Sequence, residues 1–370
     1  MIISKLSLHN FRNYKKKDFE FSGGTTVIVG SNAVGKTNIL EAIYMLSTGK
    51  SFHARREEEV INYDAEMARV SAEVGSISES WPSKLVKYEV SEEKKSTTKL
   101  EVVLTRGVMD MGAGRLERVP RKKMMVNGIA RHLYTFAGNL KVVLFGPWDM
   151  ELVTDSPSIR RRFLDSVLSQ VDREYRRSIL SYEKGLRQRN RLLLKIREEN
   201  FSRNSLMFWD QLLVKTGNYI SRKREEFIQY ANDFPDPQGQ DFELTYDGSA
   251  ISEGRLEQYK NEEVAAATTL VGPHRDDFVF KIENRELARF GSRGEQRMGV
   301  LWLKLAELTF IENKTGENPV LLLDDIFSEL DHKHRDVVMM ICGKQQTFIT
   351  TADEHFVIGI KEFKNKVIRL

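Results

Sequence analysis

Apolar and polar residues alternate over the first positions of the chain, where Ile3, Leu6 and Leu8, then Phe19 and Phe21, mark two strands. The alternation then gives way to the unbroken run TTVIV at 25–29. Alternation with a period of two predicts a half-buried strand, and a continuous run predicts a strand buried on both faces. A helix is predicted from Lys36 to about Ser47. Residues 67–127 read as β-rich through MARVSAEV, KLVKYEV, KLEVVLT and KKMMVNG, and Asn127-Gly128 is a hairpin signal. KVVLF at 141–145 predicts another buried strand.

At about 156 the period changes. Phe163, Val167, Val171, Tyr175, Ile179, Tyr182 and Leu186 recur at helical spacing, in a stretch almost free of Gly and Pro. After a break at FSRNS, Leu206, Trp209, Leu213, Ile220 and Phe227 continue the pattern, which predicts two long helices folded back on one another. DFPDPQGQDF at 233–242 is a turn-rich connection. Strand texture returns at 268–282 in TTLVG and DFVFKI. A helix over about 295–313, the strand PVLLLDD, a helix over about 331–343 and the strand QTFIT follow. These textures divide the chain at 1–150, 151–265 and 266–370, an α/β protein with a helical lobe inserted.

Composition narrows the classes. The chain has 370 residues, 41% hydrophobic and 30% charged, the balance of a folded globular protein. A single cysteine, Cys342, excludes a disulfide framework and a cysteine-based metal site. No apolar run reaches the roughly 18–20 residues of a membrane span, and the N-terminal segment lacks an apolar core with a small-residue cleavage site. A reducing, cytoplasmic setting is expected. The net charge of +4 conceals segregation. Residues 156–230 hold 17 Lys+Arg and 9 Asp+Glu (17 − 9 = +8), and residues 231–265 hold 2 and 9 (2 − 9 = −7). An excess of +8 over one helical lobe points to phosphate contact, with Arg160, Arg161, Arg187, Arg189 and Arg191 as candidates.

The sharpest chemical signal is Gly30-Ser31-Asn32-Ala33-Val34-Gly35-Lys36-Thr37, which matches G-x-x-x-x-G-K-[ST] between a buried strand and a helix. The glycines let backbone N–H groups wrap phosphate oxygens, and the helix N-terminus adds a positive dipole end. Lys36 is expected to reach the β- and γ-phosphates and Thr37 to ligate Mg²⁺. Asp324 and Asp325 close an apolar strand at the end where ligands bind in open α/β sheets, the first suited to Mg²⁺ and the second to polarising water. Ser292-Arg293-Gly294-Glu295-Gln296-Arg297 opens a helix and offers a second anion-binding end. A chain with one phosphate loop has no use for it alone, so it is expected to cap the nucleotide of a second copy. Read without the other motifs, it is an N-cap with its following Glu.

Taken in order, GSNAVGKT, SRGEQR, PVLLLDD and SELD resemble the ABC-type ATPase heads of SMC and double-strand-break repair proteins. LSLHNFRNY, SFHARREEEVI, SPSIRRRFLD, YEKGLRQRNRLL, VGPHRDDF and LLLDDIFSELD resemble segments of the RecF family, in order and over nearly the whole chain. The resemblance implies an ABC-type head with a mixed sheet and an antiparallel β subdomain within 1–150. It implies a short helical arm and connector within 151–265, and the signature and acid strand within 266–370. It implies that Gly30 to Thr37, with Arg12 and Asn13, bind ATP, and that Lys36, Asp324 and Asp325 serve hydrolysis. Ser292, Gly294 and Gln296 would act across an ATP-driven homodimer, with Asp331 in the loop coupling the two sites. It further implies a weak, switch-like ATPase that binds double-stranded DNA and single/double-strand junctions in recombinational repair, replication and the SOS response. Such a protein places RecA on gapped DNA with RecR and RecO. The alternative is an ABC-type nucleotide switch acting mainly through protein partners. The sequence departs from the wider pattern in reading SRGEQ for the signature, Asp325 for a Glu, Trp148 for an acid, and Thr350-Thr351 where a switch histidine is expected.

Overall fold

The computed structural model describes residues 1–75, 97–110, 116–236, 239–328, 332–353 and 366–370. The predicted strand KLVKYEV and the coupling-loop residue Asp331 lie outside the described residues. The chain forms two compact units, Met1–Pro147 with Ile311–Leu370, and Trp148–Phe310.

The first unit is built on two main sheets, with a short two-stranded one formed by Val108–Asp110 and Leu116–Arg118. Its parallel sheet runs Val142–Phe145, Val320–Asp324, Thr347–Thr351, Thr25–Val29 and Lys366–Arg369 in spatial order. The central three strands are buried along their whole length, as continuous apolar and β-branched runs require. The strand carrying Thr350 thus separates the phosphate-loop strand from the acid strand, with Asp324 level with Thr350 and Thr350 level with Ile28. The second sheet is antiparallel, in the order Tyr14–Glu20, Ile2–Phe11, Met67–Gly75, Thr97–Thr105, Lys122–Val126 and Ile129–Arg131. It keeps the predicted alternation: along Met67–Gly75 every second residue is buried. Asn127 and Gly128 turn the last hairpin with φ of 51° and 79°, the left-handed pair such a two-residue turn needs.

The second unit holds the arm. The helical stretch read from Ser156 onward is two helices, Pro157–Val171 and Arg173–Glu199. Asp172 leaves helical geometry and its side chain accepts the N–H of Tyr175, capping the second helix. Asn200 ends that helix in the left-handed conformation, and Met207–Asn232 returns beside it. The small antiparallel sheet of this unit pairs Phe242–Asp247 with Asp277–Ile282, then Arg285–Glu286. TTLVG at 268–272 is irregular rather than a strand. Its backbone is held instead by side chains: Asn190 accepts the Thr269 N–H at 2.9 Å, and Glu263 accepts that of Leu270 at 2.8 Å. Phe278 lies against Phe163 of the arm, and Phe227 against Phe310. These contacts explain why residues 266–310 fold with the arm.

Candidate nucleotide-binding site and arm surface

The loop Gly30–Gly35 follows the strand Thr25–Val29 and feeds the helix Lys36–Thr48. Ala33 and Gly35 stand at φ of 65° and 111°. Gly35 also needs its bare Cα, because a Cβ there would come within 2.6–2.7 Å of the Asn13 amide. That amide donates to the Val34 carbonyl at 2.8 Å and accepts from Asn38 at 2.9 Å, so the turn at Asn13 clamps the loop. The Tyr14 hydroxyl donates to the Gly35 carbonyl at 3.1 Å, and burial pushes its pKa up to about 12. No carboxylate stands in the first turn of the helix, leaving its dipole uncompensated for an anion. The Lys36 ammonium donates to the Gly30 and Ser31 carbonyls at 2.8 and 2.9 Å, which holds a nearly buried cation within the loop.

Thr37 Oγ1 lies 2.9 and 3.0 Å from the two carboxylate oxygens of Asp324, bridging 287 positions of sequence. A hydroxyl and a carboxylate side by side are the hard oxygen donors that a small divalent cation takes, so the residues fit Mg²⁺. Thr350, 1% exposed, donates its hydroxyl to Asp324 Oδ1 at 2.5 Å and accepts the Asp325 N–H at 3.0 Å. Asp325 is half-buried, with a left-handed backbone at φ 49°. In sequence, Thr350 registers only as the place of a missing histidine. Its role needs the lateral pairing of two strands.

Arg12 carries a further surprise. Its Nε and Nη2 hold both oxygens of Glu41 at 2.8 and 2.6 Å, and Nη1 donates to the Glu59 carbonyl at 3.0 Å. This hydrogen-bonded carboxylate raises the guanidinium pKa above its ordinary value. Arg12 therefore braces the first turn against the phosphate-loop helix, and Asn13 is the residue of the pair that touches the loop. Glu41, 1% exposed, was legible in principle: an acid between Leu40 and Ala42 on the buried face of a helix needs a cation.

The signature segment lies in the second unit. Ser292 accepts the Glu295 N–H at 3.3 Å, and Glu295 accepts the Ser292 N–H at 2.7 Å, a reciprocal capping box at the head of Arg293–Thr315. Those bonds hold the Glu295 carboxyl below its usual range. Ser292 and Gly294 are exposed at the helix N-terminus. Gln296 is buried, and its amide donates to the Leu287 and Gly291 carbonyls at 3.2 and 3.3 Å. Of the three signature residues expected to act across a dimer, Gln296 thus has its amide donors used in shaping the turn.

The arm's arginines sort into two sets. Arg160 is buried against Asp277, and Arg189 is buried against Asp210 and Glu263, at 2.6–2.9 Å throughout. Both are withdrawn from phosphate contact, since a desolvated guanidinium with carboxylates at ion-pair distance is a structural ion pair. Arg161 is half-buried and donates to the Asp276 carbonyl at 2.7 Å. Arg224, absent from the sequence-level candidates, holds Asp276 and Asp165, each at 2.9 Å. Asp277, Glu263 and Asp276 all lie outside 156–230, so pairing reduces the segment's excess to 8 − 3 = +5. Asp276 also accepts the Ser249 N–H at 2.8 Å and the Tyr246 hydroxyl, making the GPHRDD segment a structural hub. His274 there bonds the Tyr182 hydroxyl through Nδ1 and the Thr269 carbonyl through Nε2, at 2.8 and 3.0 Å. Burial lowers its pKa.

The second set faces outward. Arg173, Arg177, Lys184, Arg187, Arg191 and Lys195 are exposed at spacings of 4, 7, 3, 4 and 4 residues along Arg173–Glu199, which puts them on one helical face. Arg177 lies 4.0 Å from Glu174. Arg173, Lys184, Arg187 and Arg191 have no carboxylate at ion-pair distance among the described residues. Like charges three and four residues apart each destabilise a helix by roughly 0.2–0.5 kcal/mol, so the stripe is maintained against local stability.

Comparison with known proteins agrees with this geometry. The family model described as the RecF/RecN/SMC N terminal domain matches residues 2–368. The chain is 37% identical over 372 residues to the DNA replication and repair protein RecF of Herpetosiphon aurantiacus, covering 95% of this chain and 94% of that one. It is 35% identical over 375 residues to the protein of the same description from Halalkalibacterium halodurans, covering 95% and 93%. Solved structures of the recombination mediator protein RecF in the RecFOR pathway, described as RecF-ATPrS and RecF-ATP, superpose with a TM-score of 0.81 at 31% identity. They cover 95% of this chain and 93% and 92% of theirs. The loop clamped by Asn13, the Thr37–Asp324 contact and the strand order around them thus sit in a chain that belongs to the RecF family.

Proposed function

We propose that this protein is an ATP-gated DNA-binding switch of recombinational repair and replication. ATP with Mg²⁺ occupies the loop Gly30–Thr37. Lys36 neutralises the terminal phosphates, and Thr37 with Asp324 holds the cation. Exposed Ser292 and Gly294 meet the γ-phosphate of a second copy, so that ATP joins two heads. Asp325 polarises water, and because it is a methylene shorter than a glutamate, turnover is slow. The single observation that carries the reading is the Thr37–Asp324 contact, which assembles a nucleoside-triphosphate site from two remote motifs.

The DNA contact is assigned to the outward stripe from Arg173 to Lys195, with Arg187 and Arg191 at its centre. The stripe is about 33 Å long at 1.5 Å per residue, close to one turn of duplex. Its contacts are to phosphates and independent of sequence. The products of this switch, ATP-bound dimers on gapped DNA, would cooperate with RecR and RecO in placing RecA. This is consistent with the description of the solved relatives as recombination mediators in the RecFOR pathway. Among the described residues no helix is long and apolar enough to cross a membrane.

A second reading, action mainly through protein partners, is favoured by exposed Phe201, Met207 and Phe208 at the turn between the long arm helices. Light scattering after size exclusion, with ADP, ATP and gapped DNA alone and combined, separates the two. ATP-dependent dimers that bind DNA support the first, and ATP-dependent dimers without DNA affinity support the second. Lys36→Met is expected to abolish dimerisation by ATP. Ser292→Arg is expected to bind ATP and stay monomeric, and a dimer from that variant would refute capping in trans.

A further inference from the structure

We infer that Thr350 is a positioning residue for ATP hydrolysis, whose one hydroxyl fixes both acids of the site. The inference rests on the reading of Asp325 as the hydrolytic carboxylate. A threonine hydroxyl has one proton to donate and lone pairs to accept with. Here the proton goes to Asp324 Oδ1 and a lone pair takes the Asp325 N–H. The same N–H also reaches the Thr350 carbonyl at 3.2 Å. Asp325 is thus held at its N–H from the neighbouring strand while its backbone occupies the left-handed region, where a residue with a Cβ stays only if its surroundings hold it. Asp324 meanwhile receives Thr37 from one side and Thr350 from the other.

The neighbouring Thr351 does something different. Its hydroxyl accepts the Asp353 N–H at 3.1 Å. Of the two threonines at the place of the missing histidine, only Thr350 touches the acids in this structure. The link runs between parallel strands, so the separation of Asp324 and Asp325 from the loop is set by sheet register, which is rigid, and not by a mobile side chain. Removing the hydroxyl leaves Asp324 with a single hydroxyl partner and takes from the Asp325 N–H the nearer of its two acceptors on Thr350, so the position of Asp325 is held less tightly. A carboxylate displaced by about 1 Å from a reacting water loses on the order of a hundredfold in rate.

The test compares Thr350→Val, which keeps the shape, with Thr350→Ser, which keeps the hydroxyl, and with Thr350→Ala should the valine variant be insoluble. Steady-state ATP hydrolysis is measured beside the affinity for a fluorescent ATP analogue titrated at several Mg²⁺ concentrations. The expected result is a kcat lowered by roughly ten- to a hundredfold in Thr350→Val or Thr350→Ala. KM and analogue affinity should stay within about threefold of the starting protein, and Thr350→Ser should recover most of the rate. Unchanged kcat without the hydroxyl overturns the inference. So does an equal defect in Thr350→Ser, or a loss of rate and affinity together, since each assigns Thr350 to packing. Asp325→Asn is the control. If it hydrolyses normally, the reading of Asp325 has failed. If it is inactive while Thr350→Val is active, only the present inference has failed.

Discussion

Neighbouring arginines on one helix are expected to fail in opposite ways. Arg187 and Arg191 are exposed, whereas Arg189 between them is 2% exposed and bound to Asp210, Glu263 and Thr269. Counterion release makes DNA affinity scale as salt concentration to the power of about −0.9 per phosphate contact. Losing two contacts in Arg187→Ala/Arg191→Ala should therefore flatten the log–log salt slope by about 1.8 and weaken binding about thirtyfold at 0.15 M salt. Melting temperature should hardly move, because nothing buried is disturbed. Arg189→Ala leaves Glu263, 0% exposed, without its cation. Breaking one side of such a pair costs about 3–5 kcal/mol, or roughly 10 °C in a unit of this size. Fluorescence anisotropy with a labelled duplex from 50 to 300 mM salt and scanning calorimetry read the two effects separately. Unchanged affinity and slope in the double variant would refute the assignment of DNA to this face. Weakened DNA binding with an unchanged melting temperature in Arg189→Ala would refute its placement in the interior.

Other outcomes follow from the same physics. Arg12→Ala strands the buried Glu41 and should lower the melting temperature, and adding Glu41→Leu should restore at least half of the loss, as a double-mutant cycle by calorimetry would show. Gly35→Ala meets both the Asn13 amide and a backbone at φ 111°, so fluorescent-nucleotide affinity should fall about tenfold or more while the fold survives. His274 is held neutral, its folded pKa below the unfolded value of about 6.5. The unfolded chain binds the extra proton, so its contribution to stability is present above pH 6.5 and is lost as pH falls through that value toward the folded pKa. Melting temperatures between pH 8 and 5 should decline less steeply for His274→Gln than for the starting protein, and equal slopes would refute the reading of His274 as neutral in the fold.

The residue pattern by itself determined the elements around the loop Gly30–Thr37. A run such as TTVIV followed by glycines and a helix has few other uses, because buried strands, phosphate loops and helix starts are dictated within a dozen residues. Asn127-Gly128 fixed its hairpin for the same local reason. The period of the arm was equally plain, although its break at Asp172 was not, since an aspartate within a helical run reads as a surface residue until its cap is seen. Charge misled where it was read as a sum: Arg187, Arg189 and Arg191 look alike in sequence, and only packing decides that the middle one meets Glu263. SRGEQ could be read as a cap, and the cap is there, but exposed Ser292 and Gly294 and buried Gln296 part company only in space. The Thr350 bond to Asp324 and the Arg12 grip on Glu41 join residues 26 and 29 positions apart. Such contacts are created by strand order and by the desolvation of a buried carboxylate, which demands a partner from wherever the fold can bring one. Local chemistry therefore named the loop and its acids, and tertiary structure decided which neighbours hold them in place.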